Sequence, residues 1–192
     1  PPRPAYGEPL PMRAAFFHDH RFGRDGAGVY YSNGALSYRA LSRYLRHFDG
    51  LVVVGRLAGS NGFTRTVASG PGVEMACVPG SSRARVGGGS AIRRHVREVL
   101  ARVDCAIVRL PSRIGRIACG EAIRAGKPWM VEVVGCALGA LWNHGSLAGK
   151  AIAVPAYLLT RRCVGRARFA VYVSQEYLQR RYPCRGEWVG CS

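Results

Sequence analysis

His144 and Glu132 are the candidate catalytic residues, since each combines a titratable group with a setting that suits sugar chemistry. His144 follows Trp142 and Asn143, and an aromatic face beside directional hydrogen-bonding groups is a common way to hold a sugar. It is our first candidate for an acid, a base or a hydrogen-bond donor, although a single loop histidine is usually only solvated. Glu132 lies inside the apolar run 129–134, where an unpaired carboxylate is costly to bury. We favour its pairing with an arginine over a role as a base or a ligand of a sugar hydroxyl.

A second polar group, His18-Asp19-His20, ends the first apolar segment of the chain. Residues two apart on a strand face the same way, so both imidazoles could contact one ligand. A zinc site needs more ligands than these, and no further histidine or cysteine stands at a metal-binding spacing. We therefore interpret His18 and Asp19 as ligand- or phosphate-binding residues that line a cleft, and we expect no metal.

Arg109, Ser112 and Arg113 place two guanidinium groups and a hydroxyl where a predicted strand gives way to a predicted helix. Guanidinium groups hold phosphate through paired hydrogen bonds, so Arg109 and Ser112 are candidate phosphate-binding residues. A cap by Ser112 on the helix, with the arginines in solvent, explains the same residues equally well.

The tripeptide Asn33-Gly34-Ala35 precedes the first predicted helix and is the candidate glycine loop. A small residue at this position lets backbone N–H groups approach a phosphate at the positive end of a helix. Asn-Gly is also an ordinary turn, and we favour that simpler interpretation. No G-x-G-x-x-G or P-loop pattern occurs, which argues against a nicotinamide-dependent enzyme or a P-loop ATPase.

Apolar strands alternate with amphipathic helices along the chain, and this pattern predicts the scaffold that positions these residues. The predicted strands cover residues 13–19, 51–54, 73–78, 105–108, 129–134 and 169–173. The predicted helices cover residues 37–48, 92–103, 114–125, 147–164 with an interruption at Pro155, and 175–182. Loops are expected at 60–72 and 81–90. Because parallel strands need crossover connections, the sequence predicts an α/β fold, a Rossmann-like parallel sheet with helices on both faces.

Ligands of such sheets bind at the carboxyl ends of the strands. That rule adds Trp142, Asn143 and Glu176 to the candidate acceptor- or phosphate-binding residues. We therefore expect the candidate residues to share one edge of the sheet: His18, Asp19, Asn33, Gly34, Ala35, Arg109, Ser112, Glu132, Trp142, Asn143, His144 and Glu176.

The formal net charge of +17 comes from 28 basic and 11 acidic residues, and all but two of the basic residues are arginines. Such a charge attracts phosphates, nucleic acids or the anionic face of a bilayer, while a merely solvated surface is the alternative. A non-catalytic α/β module that binds nucleic acid or another polyanion is the second functional hypothesis. No helix-turn-helix, zinc-finger or aromatic RNA-binding pattern supports it, so we expect no nucleic-acid partner.

The cysteines, the apolar stretches and the start of the sequence indicate the cellular compartment and the extent of the domain. Seven cysteines, none in a C-x-x-C pair, fit a reducing cytoplasm. No stretch reaches the roughly 18 uninterrupted apolar residues of a membrane span, and the Pro-rich start has no signal-peptide core. Residues 1–12 are predicted to form a disordered leader and residues 13–192 one domain. The first residue is Pro rather than Met, so we expect the segment to belong to something longer.

Several motifs, taken in order, resemble the amino-terminal half of bacterial family 4 glycosyltransferases of capsule and exopolysaccharide synthesis. In the second half these are RLPSRIG at 109–115, GKPWMVEVVGC at 126–136, LWNHGS at 141–146 and YVSQEYLQRRYP at 172–183. The family's opening strand, glycine loop and first helix are similar to FHDHRF at 17–22, VYYSNG at 29–34 and SRYLRHFD at 42–49. The match runs from residue 13 to residue 192, with a weaker middle.

The resemblance implies the first domain of a GT-B enzyme, in which two Rossmann-like domains face a cleft. In that family the first domain takes the acceptor, often a glycan or a lipid-linked sugar, and a second domain holds the nucleotide-sugar donor. Hexosyl-type transfer with retention of anomeric configuration is implied, with no cofactor and no metal. The resemblance also implies that the donor-binding domain is absent from this chain and that the fragment alone is inactive. A cytoplasmic protein in peripheral contact with the anionic membrane is expected.

Three positions depart from the family pattern. Residues 136–139 lack a Pro-Trp-Asp before the Trp-Asn-His-Gly motif, and the glycine loop reads Gly34-Ala35 in place of two glycines. Val134 stands where many members carry a histidine at the end of the fifth strand. A catalytic role for His144 is therefore a hypothesis.

Overall fold

The computed structural model describes residues 11–58, 66–80, 88–142 and 147–191. The strands are β1 (Arg13–Arg24), β2 (Tyr30–Ser32), β3 (Gly50–Leu57), β4 (Thr66–Val67), β5 (Val73–Met75), β6 (Val78–Pro79), β7 (Cys105–Leu110), β8 (Trp129–Val133), β9 (Phe169–Tyr172) and β10 (Glu187–Gly190). The helices are α1 (Tyr38–Leu41), α2 (Gly88–Ala101), α3 (Arg113–Arg124), α4 (Ala137–Trp142), α5 (Leu147–Val164) and α6 (Tyr177–Arg181). A 3-10 helix, Ser42–Arg46, follows α1.

The central sheet is parallel and runs in the order β10-β9-β8-β7-β1-β3, after which β5 and β6 both pair with β3. The first strand therefore lies in the middle, with β3 and β5 on one side and the later strands on the other. This is the doubly wound order of the Rossmann fold, so the predicted α/β fold is confirmed. The short strands β2 and β4 extend the sheet antiparallel, with β2 along the outer part of β1.

Apolar side chains alternate between the two faces of the strands and bury the sheet on both sides. Ala15 and Phe17 of β1 belong to the core that α2, α3 and α5 cover, which we call the α3 face. Ala14 and Phe16 belong to the core that α1 and the 3-10 helix cover, which we call the α1 face. Helices thus pack on both faces of the sheet, as predicted.

Strand β1 is longer than predicted because it changes partners along its length. Up to Phe17 it pairs with both β3 and β7, and its register against β3 shifts between Phe17 and Arg21. Beyond the shift it pairs with β2 from Phe22 onward. The prediction ended this strand at Asp19 because the polar residues that follow Phe17 interrupt the apolar run. The chain continues as a strand there because new partners satisfy its backbone.

Helix α5 is continuous, so the predicted interruption at Pro155 is wrong. A proline removes one backbone hydrogen bond and crowds the preceding turn. Pro155 lies on the exposed side of α5, whereas Ala153 and Thr160 anchor the opposite side in the interior. The carbonyl that loses its partner therefore faces water, and the packing of the other side keeps the helix intact.

Other local predictions differ in detail. The helix predicted over 37–48 is one α-helical turn followed by the 3-10 helix, and the strand predicted over 73–78 is divided between β5 and β6. The loop predicted over 81–90 ends early, because α2 begins at Gly88, and residues 81–87 lie outside the described residues. The short elements β2, β4, β10 and α4 were not predicted, since two to six residues are too few to show a period.

Three observations concern the membrane, the cysteines and the leader. Among the described residues, no helix combines the length and the apolar character that crossing a bilayer requires. All seven cysteines are free thiols. The first ten residues of the predicted leader lie outside the described ranges.

Gly55 of β3 lies where the outer part of β1 packs closely on it. A Cβ atom added to Gly55 would lie 2.6 Å from the buried ring of Phe22 and 2.9 Å from the carbonyl oxygen of His20. We expect Gly55→Ala to lower the free energy of unfolding by about 2 kcal/mol, since the ring and the backbone would both have to move. Urea unfolding measures the change. Gly26→Ala is the matched control, because a Cβ there meets nothing within 4 Å. Equal stabilities of the two variants would contradict this packing.

Candidate functional site

The strand order switches sides at β1, because the next strand, β3, lies on one side of β1 and the later strand β7 lies on the other. In doubly wound sheets, ligands bind in the crevice at the carboxyl ends of two such strands. The last register pair between β1 and β7 is Phe17 with Val108, so His18 and Arg109 follow side by side at this edge. Strand alternation places both on the α1 face, with Phe16 and Ile107. We call the site around His18, His20, Arg109 and Glu132 the central crevice.

His18 carries a buried nitrogen that no group in the described part of the chain satisfies. Among the described residues, its Nδ1 is the buried side-chain polar atom that lacks a hydrogen-bond partner. Burial first, and then the charge of Arg109, lowers the pKa of His18 from its ordinary value of 6.5 to about 4. The imidazole is therefore uncharged at neutral pH, and its Nδ1 is closed to solvent without a hydrogen-bond partner among the described residues.

His20 ties the outer part of β1 to the candidate glycine loop. Its Nε2 lies 2.7 Å from the hydroxyl oxygen of Ser32, the residue directly before Asn33. Its ring centroid lies 6.4 Å from that of His18 and 4.7 Å from that of Phe22. Burial, and to a smaller extent the charge of Arg109, lowers the pKa of His20 as well.

The candidate glycine loop, Asn33-Gly34-Ala35, is exposed and turns the chain from β2 toward α1. Gly34 has φ +130°, a backbone conformation that favours glycine. Ser37 then caps α1, since its hydroxyl accepts a hydrogen bond from the N–H of Ala40 at 3.3 Å. The loop therefore adjoins the central crevice through Ser32, while its predicted contact with phosphate stays a prediction.

Glu132 has the arginine partner that the sequence predicts. It faces Arg109 across β7 and β8, with 3.3 Å between the guanidinium Nη1 and Oε2. The hydroxyl of Tyr44 donates a hydrogen bond of 2.5 Å to the other carboxylate oxygen. Burial, followed by the charge of Glu132 and this hydrogen bond, raises the pKa of Tyr44. The carboxylate thus holds Arg109 in place, and its second predicted role, as a base, stays a prediction.

Asp19 points to the opposite face of the sheet from His18 and ties three elements together. Its carboxylate accepts hydrogen bonds from the backbone N–H of Arg113 and, at 3.4 Å, from that of Ile114, at the start of α3. It also pairs with Arg56 of β3, whose Nη2 lies 2.7 Å from Oδ1. A protein carboxylate therefore already occupies the positive end of α3. Ligand binding by Asp19 remains a prediction.

Ser112 caps α3, as one of the two interpretations of the sequence proposes. Its Oγ accepts a hydrogen bond of 2.9 Å from the N–H of Gly115, and the residue is only 4% exposed. The hydroxyl is thus engaged inside the protein. A contact of Ser112 with phosphate stays a prediction.

The remaining candidates lie outside the central crevice or outside the described residues. Trp142 ends α4 and is half-exposed, with the ammonium of Lys150 over its ring at 5.9 Å from the centroid. Glu176 follows β9, two strands from β7, and its carboxylate pairs with Arg180 at 2.7 Å. Asn143 and His144 lie outside the described residues, so their roles remain predictions.

Sequence reasoning missed one member of these networks. Tyr44 fitted the apolar period of the first helix, so its hydroxyl gave no signal of an interior partner. Arg56 follows the apolar run of β3, where strand ends predict the functional edge of the sheet, and the topology supplies its partner Asp19. Among the described residues, no cluster of three or more histidine, cysteine, aspartate or glutamate side chains could hold a metal ion.

The central crevice combines groups that can bind a hydroxyl next to a phosphate. A neutral imidazole exchanges a hydrogen bond with a hydroxyl group, and the adjacent guanidinium attracts an anion. Glu132, which accepts a hydrogen bond from Tyr44, also pairs with the guanidinium, so the position of Arg109 does not depend on the ligand. The exposed loop 33–35 adjoins this site through the contact of Ser32 with His20.

The sequence is similar to one curated protein. No protein-family model matches the chain. The sequence is 34% identical over 171 residues to Protein CapJ of Staphylococcus aureus, and this match covers 85% of the chain. The same match covers 42% of CapJ, so the chain spans about two-fifths of the length of this relative.

Two solved structures have a similar course of the chain at low sequence identity. One is a UDP-N-acetylglucosamine 2-epimerase, with a TM-score of 0.47, 10% identity, and coverage of 86% of this chain and 43% of that one. The other is a UGT transferase from Siraitia grosvenorii in complex with UDP, with a TM-score of 0.47 and 12% identity. That match covers 89% of this chain and 46% of the transferase chain. Likeness at this level does not establish a shared activity.

The contact of Glu132 with Tyr44 and Arg109 predicts a measurable coupling. Glu132→Gln removes the charge beside Arg109, and Tyr44→Phe removes the donor to the carboxylate, so each should lower the free energy of unfolding by about 2 kcal/mol. The loss in the free energy of unfolding of the double variant should be at least about 0.5 kcal/mol smaller than the sum of the two single losses, because both changes break one network. Glu176→Gln, which breaks an exposed pair, is the control and should change stability by less than about 0.5 kcal/mol. Strictly additive losses in the cycle would disprove the network.

The low pKa of His18 predicts how acid affects stability. Between pH 6.5 and 4 the unfolded chain protonates His18 while the folded chain does not. The contribution of His18 to the free energy of unfolding is therefore fully present above pH 6.5. It is lost as the pH falls toward 4, and the loss is on the order of 2 to 3 kcal/mol. Unfolding in urea across this range should show a shallower fall for His18→Gln than for the unchanged chain. The prediction fails if the two curves run parallel.

Proposed function

We propose that this chain is the acceptor-side domain of a GT-B glycosyltransferase of capsule or exopolysaccharide synthesis. Such an enzyme moves a sugar from a nucleotide-sugar to a growing glycan or a lipid-linked acceptor. The observation that carries the proposal is the convergence of His18, Arg109 and Glu132 at the one reversal point of a doubly wound sheet. Such points are where this fold binds ligands. The motif resemblance and the similarity to CapJ, a capsule biosynthesis protein, support the same conclusion.

His18 is the residue to which we assign the acceptor. Its Nδ1, unpaired and closed to solvent in the free protein, would exchange a hydrogen bond with the hydroxyl that receives the sugar once the side chains that cover it move aside. An imidazole with a pKa of about 4 is a weak base at neutral pH, so orientation of the hydroxyl is its main role in the free protein. A phosphate bound beside Arg109 would offset the guanidinium charge and move the pKa of His18 upward, toward the range of a useful base.

We assign to Arg109 the stabilisation of the negative charge on the reacting groups. Departure of a nucleoside diphosphate places negative charge in the cleft, and a fixed guanidinium stabilises that charge without reorganisation. Glu132 pairs with Arg109 and is itself held by Tyr44, so Glu132 acts here as a positioning residue. The candidate glycine loop would contribute backbone N–H groups on the open side of the same crevice.

The donor is assigned to a second domain of the whole protein. The match to CapJ covers 42% of that protein, which leaves room in a relative of this length for a second α/β domain. Retention of anomeric configuration and transfer without a metal belong to the proposal through the motif resemblance.

A sugar-transfer assay on the protein in its full natural length tests the proposal. His18→Gln and Arg109→Gln should each lower kcat by about 100-fold, since orientation and charge stabilisation are lost. His47→Gln changes an exposed histidine outside the crevice and should leave kcat unchanged. His144→Ala separates the two histidine assignments, because unchanged turnover removes His144 from the catalytic residues. Full activity of both His18→Gln and Arg109→Gln, with unfolding temperatures like that of the unchanged protein, would refute the assignment.

A further inference from the structure

The α3 face of the molecule carries a cavity of about 470 Å³ between α2, α3 and α5. Two cysteines lie in its wall, Cys119 of α3 and Cys163 of α5. Arginines from these three helices and from the turn after α5 line the same cavity, which we call the arginine cavity. They are Arg93, Arg113, Arg116, Arg124, Arg162 and Arg166. Neither cysteine has a part in the site around His18.

The two thiols are in direct contact across α3 and α5. A hydrogen bond joins the sulfur atoms of Cys119 and Cys163. Cys119 is buried in the core of the α3 face, whereas Cys163 packs against that core and is partly exposed. Cys163 is therefore the sulfur that a small molecule in the cavity reaches more easily.

The arginine cavity has more positive charge than the protein neutralises. Glu121 is the acidic residue in its lining, and three arginines of α2 and α3 already engage its carboxylate. Within the described ranges, no carboxylate pairs with Arg116, Arg162 or Arg166. The charge of these three guanidinium groups is thus free to stabilise an anion in the cavity.

The three unpaired arginines act on the sulfur of Cys163. A hydrogen bond with Cys119, and then the charges of these arginines, lower the pKa of Cys163, while burial opposes them. The same hydrogen bond, followed by burial, raises the pKa of Cys119. When the pair shares one proton, the proton therefore resides on Cys119 and the negative charge on Cys163.

Two simpler roles for a thiol pair fit these surroundings less well. Two thiolates can hold a soft metal ion, but a cation would meet the repulsion of three guanidinium groups. Buried cysteines also pack as small apolar residues, and such packing gives no reason for unpaired arginines around the sulfur. A partly exposed thiol in an electropositive setting is typical of a reactive cysteine. A second thiol beside it is typical of a pair that responds to oxidants.

We infer that Cys163 and Cys119 form a peroxide-sensitive thiol pair, which oxidises to a disulfide between α5 and α3. In the first step the thiolate of Cys163 attacks one oxygen atom of hydrogen peroxide. An S–O bond forms, the O–O bond breaks and hydroxide leaves. That hydroxide takes the proton of Cys119 and departs as water, so that Cys163 is a sulfenic acid and Cys119 a thiolate.

The second step closes the disulfide. The thiolate of Cys119 attacks the sulfenic sulfur of Cys163, so an S–S bond forms, the S–O bond breaks and hydroxide leaves. A proton from solvent converts this hydroxide to water. The two sulfur atoms together lose two electrons, and one peroxide molecule is reduced to two molecules of water. The arginines stabilise the thiolate and the departing hydroxide, and neither step depends on sugar transfer in the central crevice.

Alkylation of the reduced 192-residue chain with iodoacetamide tests the reactivity of Cys163. Peptide mapping over time should show Cys163 alkylated at least about tenfold faster than Cys77, because only the first thiol lies among unpaired arginines. Cys77 is the matched control, since it is also partly buried and burial raises its pKa to about 11.

Oxidation by hydrogen peroxide tests the pairing, and Cys191→Ser serves as the background because the exposed Cys191 could link two copies of the chain. Mapping under non-reducing conditions should find Cys119 joined to Cys163, and dithiothreitol should restore both thiols. In the further variant Cys119→Ala, a sulfenic acid should persist on Cys163 and be trapped by dimedone. In Cys163→Ala, dimedone should not label Cys119.

The role of the arginines is tested by Arg162→Gln with Arg166→Gln, which should slow disulfide formation about tenfold. The control is Arg39→Gln with Arg46→Gln, which removes the same charge from exposed arginines of α1 and the 3-10 helix. It should leave the rate unchanged. Circular dichroism and unfolding temperatures establish that the variants are folded, and the alkylation of the unchanged chain needs no variant.

Three results would overturn the inference. One is alkylation of Cys163 no faster than that of Cys77. Another is peroxide treatment that leaves Cys119 and Cys163 unlinked, whether as free thiols or with Cys163 oxidised alone. The third is an unchanged rate of disulfide formation in the folded arginine variant. Each result concerns the α3 face only, so the assignment of a sugar acceptor to the central crevice stands or falls separately.

Discussion

Neutralisation of interior arginines by a small number of carboxylates is the constraint on which this structure depends. With 28 basic and 11 acidic residues, the chain cannot pair most of its arginines, so each buried acid organises several groups. Asp19 joins Arg56 and the start of α3 to β1, and Glu132 joins Arg109 and Tyr44 across β7 and β8. Glu121 gathers the arginines of α2 and α3. Loss of Asp19 or Glu132 would leave a guanidinium charge in a poorly solvated position, since Arg56 and Arg109 are mostly buried.

The two faces of the sheet use the surplus charge differently. On the α1 face, Arg109 is fixed beside an unpaired imidazole, so the charge is aimed at a small site. On the α3 face, several arginines line a cavity next to exposed leucines, and Glu121 is the acidic residue in that lining. We propose that the first arrangement acts on a sugar acceptor.

Periodicity and strand ends predicted most of the scaffold, since β3, β7, β8, α3 and α5 are long or continuous enough to show their pattern. The position of His18 and Arg109 at one edge followed from the doubly wound order alone. The partners of the carboxylates could not be predicted, because the contact between Tyr44 and Glu132 spans 88 residues and depends on tertiary packing. Strand β10 escaped prediction since only its pairing with β9 defines it. Pro155 misled the prediction because its exposed position in α5 is not visible in the sequence.

An experimental structure of the chain soaked with a hexose phosphate is the most direct test of the claim that the central crevice is an acceptor site. The account predicts a sugar hydroxyl within hydrogen-bonding distance of Nδ1 of His18 and the phosphate against the guanidinium of Arg109. A hexose phosphate bound elsewhere, with an empty crevice and Nδ1 of His18 still unpaired, would contradict it.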